Sequence, residues 1–179
     1  MAKIGACYPC FKAEEAQTGV VLGKLVSANL TINNASGELP ADDTIAEKLT
    51  EFASGSIAME TDDMLDEVTQ VIYGCKAEEG LVTYNITDNP PRGCLGYYKS
   101  LLRNGKKAYQ GYFYPLVQAS IGNDNAQTKG TSITFATTST TFTVFADDEG
   151  VWRKTKTFEN ADEAKAWINE MCSISDATT

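Results

Sequence analysis

A chain of 179 residues, 42% of them hydrophobic and 22% charged, has the makeup of one globular domain with a sizeable core. With 24 acidic against 15 basic side chains its formal net charge is −9, which argues against sequence-independent attraction to nucleic-acid phosphates or to an anionic membrane. There is no histidine, so the Ser-His and Cys-His nucleophile pairs and the commonest general base and transition-metal ligand are excluded, and the chain is not expected to be an enzyme.

In chain order, residues 1–18 read as an N-terminal arm: Lys3 is their early basic residue, no apolar run reaches signal-peptide length, and a small, polar stretch follows at 13–19. No later window approaches the roughly 18 apolar residues of a membrane span, so no membrane partner is expected and assembly in a cytoplasm is. Residues 26–33 alternate with period two, placing Val26, Ala28, Leu30 and Ile32 on one face and Ser27, Asn29, Thr31 and Asn33 on the other. Residues 52–61 alternate again, with Ala53, Ile57 and Met59 opposite Ser54, Ser56, Ala58 and Glu60, so the two segments form the arms of one long hairpin. Between them, 34–51 reads as a long inter-strand loop containing Gly37, Pro40, Asp42 and Asp43.

Asp62 is the expected N-cap of a short helix with Leu65, Val68 and Ile72 inward and Gly74 as its stop. Residues 81–86 read as a strand ended by Asp88-Asn89-Pro90-Pro91. Asn104-Gly105 between two strand-like runs is the dipeptide of a two-residue type I′ hairpin, and that turn sets Tyr97 opposite Tyr112, Leu101 opposite Ala108 and Tyr98 over Gly111. A polar linker, 122–130, precedes a threonine- and aromatic-rich stretch at 132–145 that suits two strands, and 151–158 suits a last one. Asn160 with Glu163 forms a capping box ahead of a helix whose Ala164, Trp167, Ile168 and Met171 share a face, and a polar tail, 173–179, is expected to be flexible. Many strands with two short helices imply a mostly β, α+β fold, a β-sandwich with helices on a side or edge.

Charge is segregated: 38–79 hold 12 acidic residues against Lys48 and Lys76, whereas 90–123 hold Arg92, Lys99, Arg103, Lys106 and Lys107 and no acid. Head-to-tail self-association can use such an asymmetry; a solvated surface with uneven charge is the plainer reading.

Candidate chemistry is sparse. Cys7-Tyr8-Pro9-Cys10 has C-x-x-C spacing, but an arm and a polar linker replace the strand-to-helix setting a redox pair needs, and no second close cysteine pair completes a zinc site. The five cysteines, Cys7, Cys10, Cys75, Cys94 and Cys172, read as reduced thiols in or near the core. Neither Asp42-Asp43, Asp62-Asp63 nor Asp147-Asp148-Glu149 matches a calcium loop, and no phosphate loop, nucleophile elbow or dinucleotide fingerprint occurs, so no metal and no cofactor is expected. The tyrosines Tyr97, Tyr98, Tyr109, Tyr112 and Tyr114 suit cross-strand packing better than a base-stacking platform.

Ordered blocks resemble a known family. They are Val26-Ser27-Ala28-Asn29-Leu30-Thr31-Ile32-Asn33-Asn34 with Ala41-Asp42-Asp43 and Ser54-Gly55-Ser56; Leu95-Gly96-Tyr97-Tyr98 with Asn104-Gly105 and the return strand; Gln127-Thr128-Lys129-Gly130 with Ser132-Ile133-Thr134-Phe135; and Thr157-Phe158 with Glu163-Ala164-Lys165-Ala166-Trp167. Together they resemble the major tail, or tail tube, proteins of long-tailed, non-contractile bacteriophages. The resemblance implies a single domain, 1–179, that forms hexameric rings stacked into a hollow virion tube around a tape-measure protein and closed by a tail terminator, a conduit for double-stranded DNA that passes without specific binding. It implies that the long hairpin joins an inner β-barrel whose lumen is faced by Ser27, Asn29, Thr31, Asn33, Ser54, Ser56 and Glu60. Ring-to-ring contacts are then expected from the loop, arm and tail, with Glu38, Asp42 and Asp43 set against Arg103, Lys106 and Lys107. The alternative is a monomeric β-sandwich binding or adhesin module on a virion or cell surface; a metal-dependent or thiol enzyme is a third class.

Overall fold

Alternating apolar and polar side chains, β-branched and aromatic enrichment and one tight turn build most of the molecule from antiparallel strands. The computed structural model describes residues 2–41, 44–103, 105–122 and 137–175. In chain order these hold β1 (Ala2–Ala13), β2 (Val20–Val21), β3 (Leu25–Ala41), β4 (Thr44–Thr61), α1 (Asp66–Tyr73), β5 (Lys76–Glu78), β6 (Leu81–Thr83), β7 (Arg92–Arg103), β8 (Lys106–Ile121), β9 (Thr138–Phe145), β10 (Lys154–Phe158) and α2 (Ala161–Cys172). The fold is mostly β with two helices. One eight-stranded sheet runs β2-β1-β7-β8-β9-β4-β3 with β10 branching from β8, and β5-β6 forms a small separate hairpin.

Long β8 organises the sheet. Its first half pairs with β10 from Tyr109 to Phe113, and its second half pairs with β9 from Leu116 to Ile121. Pro115, which has no N–H to give a ladder, sits at the changeover, where the β7 partner shows a register shift between Gly93 and Leu95. The sheet rolls so that β3 and β1 touch, and Lys99 Nζ on β7 donates to the Ala28 carbonyl of β3 at 3.5 Å. Inside the roll lies the main core, with Phe11, Ile57, Leu95, Tyr97, Tyr114, Val117, Phe142 and Val144 buried together and Ile72 of α1 closing one end. Tyr97 stacks on Tyr112 and on Tyr114, so these rings pack across strands, as expected.

The β7-β8 hairpin has the expected register, including Tyr97↔Tyr112, Tyr98↔Gly111 and Leu101↔Ala108. Gly105 takes φ 77, the positive value the turn demands, while Asn104 lies outside the described residues. On the outer face of β7 and β8, α2 packs through Ile168, Cys172 and half-buried Trp167 against Cys10 and Phe113. It starts at Asn160, whose Oδ1 accepts the Glu163 N–H at 2.8 Å. The close approach needs bare backbone beneath it: a Cβ on Gly111 would stand 2.6 Å from Trp167 Cε3. Gly111→Ala is therefore expected to cost about 1–3 kcal/mol of stability, read by urea unfolding, with Trp167 fluorescence reporting the displaced ring.

Four sequence expectations are corrected. Residues 2–13 are no free arm but strand β1, inserted between β2 and β7 with Cys10 and Phe11 fully buried. Its partner lies far along the chain, and a bulge between Cys7 and Cys10, with Tyr8 at φ 59, breaks the alternation. Residues 34–51 are no loop. There β3 and β4 continue pairing from Asn34↔Phe52 to Ala41↔Thr44, through register shifts at Asn33/Asn34 and Leu39/Pro40 that scramble the period-two pattern. Asp62 does not cap α1; Leu65 holds the N-cap position, and Asp62 Oδ1 instead accepts the Lys24 and Asp63 N–H groups at 2.7 and 2.9 Å. Finally, the start of the tail is docked: Ser173 closes α2, its Oγ accepts from Lys12 Nζ at 3.0 Å, and Ile174 packs under the helix.

Smaller differences follow the same logic. Gly74 stops α1 as expected, at φ 67. The 81–86 strand shortens to β6, the last strand begins at Lys154, and of the two strands expected in 132–145 the structure describes β9, since 123–136 and 176–179 lie outside the described residues.

Candidate functional site

Among the described residues, one face of β3, β4, β9 and the end of β8 forms a broad, chemically uniform polar surface. Its rows follow from the ladders. Ser27 opposes Glu60, which opposes Ser139; Asn29 opposes Ala58, then Thr141, then Ser120; Thr31 opposes Ser56, then Thr143, then Gln118. Asn33 opposes Ser54 one row further on. Because side chains alternate across a strand, the opposite face of the same strands carries Ala28, Ile57, Met59, Phe142, Val144, Val117 and Ala119, all buried. Core burial thus forces the polar set outward, and a one-residue slip would expose the whole apolar row.

All seven residues expected on that face, Ser27, Asn29, Thr31, Asn33, Ser54, Ser56 and Glu60, lie on it and are exposed or half-buried. Short hydrogen-bonding side chains satisfy one another there: Ser27 Oγ donates to Glu60 Oε2 and Asn33 Nδ2 to Ser54 Oγ, each at 3.3 Å. Sequence reasoning missed Ser139, Thr141, Thr143, Ser120 and Gln118. Their signal was present in the Thr138–Phe145 alternation, but only the pairing of β9 to β4 places those hydroxyls beside β3. Glu60 is the one charged side chain among these rows. Arg92 stands at the margin beside Gln118, with its guanidinium 5.5 Å over the Phe145 ring. On the opposite side, beyond β4, β3 ends the strand order, so its outer edge has no ladder partner among the described strands.

The second expected set is divided. Glu38 is exposed on the β3-β4 ribbon, and Arg103, Lys106 and Lys107 are exposed at the β7-β8 turn, whereas Asp42 and Asp43 lie outside the described residues. Ala28, Met59, Thr140 and Ile121 share one cross-sheet row, and from it both hairpins run toward their turns in the same along-strand sense. The Ala41 and Thr44 ends of β3 and β4 and the basic β7-β8 turn therefore lie toward the same end of the strands.

Thiol chemistry is subdued. All five cysteines are free, with Cys7 exposed and Cys10, Cys75 and Cys172 buried. Burial pushes the Cys10 thiol up to about 12, and a hydrogen bond with Cys94, then burial, push Cys172 upward as well, so neither is a ready thiolate. A thiol-reactive aromatic disulfide at neutral pH is expected to label Cys7 at once and Cys94 more slowly, with Cys10, Cys75 and Cys172 reacting only on unfolding; immediate labelling of all five would refute this burial. Among the described residues no group of three or more Cys, Asp or Glu side chains is placed to hold a metal ion. Also among them, no helix is long and apolar enough to cross a membrane. Backbone N–H donation from Lys24 holds the exposed Asp62 carboxyl below its ordinary range, a turn-locking contact. No protein-family model matches the chain, and no curated protein matches it in sequence.

Proposed function

We propose that this chain is the structural subunit of a hollow tube, a tail-tube protein of the long-tailed, non-contractile phage type, assembled from stacked hexameric rings in the bacterial cytoplasm and carried in the virion. The observation that carries the reading is the four-strand polar face, uncharged in its rows except for Glu60. A wall facing DNA works as a conduit when it offers no lysine or arginine: no phosphate is neutralised, no counterions are released, and the duplex slides without sticking. Hydroxyl and amide side chains keep such a wall wet. The edge of β3, without a ladder partner among the described strands, supports the same reading, because lateral pairing with a neighbouring subunit would remove an edge that a solitary protein must protect. In this proposal the rolled sheet is the sandwich body, the polar face is the lumen, and the tape-measure protein and tail terminator are the other partners. The binding-module alternative draws no support from the tyrosines, since Tyr97, Tyr112 and Tyr114 are buried.

Negative-stain electron microscopy across a concentration series, with sedimentation in parallel, tests the proposal. Rings or tubes with a central channel are expected. Compact monomers at every concentration, with and without a tape-measure protein added, would overturn it.

A further inference from the structure

We infer that the basic groove at the β7-β8 turn is the docking surface for the acidic α1 end of a second copy of this chain, an inference that rests on the tube reading and specifies its axial contact. The groove, about 770 Å³, is lined by Arg103, Lys106, Lys107, Ala108, Thr157, Phe158 and Glu159. Its three cations are exposed, and Glu159 is the acid on its rim. Lys156, exposed on β10 opposite Gly111, adds to the same end.

Opposite charge lies at the far end of the strands. The cavity beside α1 is lined by Met64, Asp66, Thr69 and Tyr73 together with Ile121, Gly122, Thr138 and Ser139, which places α1 where β8 finishes and β9 begins. From Lys106 to Ile121, β8 separates the two ends by about 50 Å at strand rise. Asp62, Asp63, Asp66 and Glu67 are exposed at the α1 end, and Glu14 and Glu15 line the neighbouring recess with Gln70 and Val71. Among the described residues the cations toward that end include Lys12, Lys24, Arg92 and Lys76; Lys12 Nζ donates to Ser173 Oγ at 3.0 Å and Lys76 is paired with Glu78 at 3.0 Å.

A molecule with a cationic groove at one end and a cluster of exposed carboxylates at the other can stack on copies of itself by a heterologous contact that repeats without closing, which is the symmetry of an axial tube. In a chain of net charge −9, such a local cationic surface offsets the like-charge repulsion between copies and favours one mutual orientation. Glu38 on the β3-β4 ribbon is the wrong donor for an axial partner, because that ribbon runs toward the same end as the basic turn; a translated copy presents its α1 end instead.

Charge-swap variants test this. One variant reverses the groove (Lys106→Glu with Lys107→Glu) and the other reverses the helix end (Asp66→Lys with Glu67→Lys); the neutral pair Asp66→Asn with Glu67→Gln controls for cations at a helix N-terminus. All four altered side chains, Asp66, Glu67, Lys106 and Lys107, are exposed, and unchanged unfolding midpoints verify the fold. Each reversed variant alone is expected to need about 100-fold higher concentration to assemble, and an equimolar mixture of the two to assemble near the wild-type concentration, since reversed ends complement each other. Assembly of either reversed variant at the wild-type concentration, or a mixture no better than its components, would overturn the inference. Tubes formed equally by every variant would overturn this charge pairing and leave the tube reading standing. Should the wild type form no tubes, the tube reading fails by itself, and sedimentation of the mixture still decides: a heterodimer sustains the end-to-end contact and two monomers overturn it.

Discussion

Replacing Phe142 by alanine is expected to cost about 3–5 kcal/mol, a large share of the roughly 5–15 kcal/mol that holds a domain folded. Phe142 is 0% exposed. Its strand neighbours are Ile57 and Ala119, and its ring stands 6.0 Å from that of Phe11, so it joins the four-strand region to buried β1. The cavity it leaves is walled by ladders on both sides and cannot collapse. Thr143→Ala, one residue along and on the opposite face, is expected to shift stability by no more than about 0.5 kcal/mol. Urea unfolding of dilute monomer measures both; equal effects would mean that the apolar and polar faces are not divided as described.

That division was legible in the sequence where it was local. Alternation at 26–33 and 52–61 located the polar rows, and Asn104-Gly105 fixed a register that runs through the whole β7-β8 hairpin. Two parts were hidden for physical reasons. The β1 strand pairs with β7 across some ninety residues, and its bulge turns Tyr8 outward to donate its hydroxyl to Asn169 Oδ1 at 2.8 Å, so no periodic signature survives near Pro9. The 34–51 ribbon carries Gly37 and Pro40, ordinary marks of a loop, yet Pro40 sits on an edge strand where a missing N–H costs little. The site shows the same split: β3 and β4 were readable alone, but Thr141, Thr143 and Ser120 join the face only through long-range pairing.

Arginines placed on the polar face should change its behaviour toward DNA most of all. Thr31 and Thr143 flank Ser56 in one row, so Thr31→Arg with Thr143→Arg puts two guanidinium groups on β3 and β9, either side of β4, in every subunit, on a surface whose fold depends on its other side. Wild-type assemblies are expected to retain no duplex DNA at low salt, because a face of serine, threonine and asparagine with one glutamate releases no counterions. The variant is expected to hold DNA with an affinity whose logarithm falls by about 0.9 per neutralised phosphate for each decade of salt, a loss of about 10³–10⁵ between roughly 50 and 200 mM when six to ten phosphates are engaged. Thr31→Gln with Thr143→Gln keeps the bulk without the charge and should bind nothing, which separates charge from shape. Filter retention across a salt series reads all three. If the wild type binds DNA with the same slope as the arginine variant, the face is no inert wall; if the variant assembles normally yet shows no salt-dependent retention, the row does not face the duplex, and the lumen must be sought on another surface.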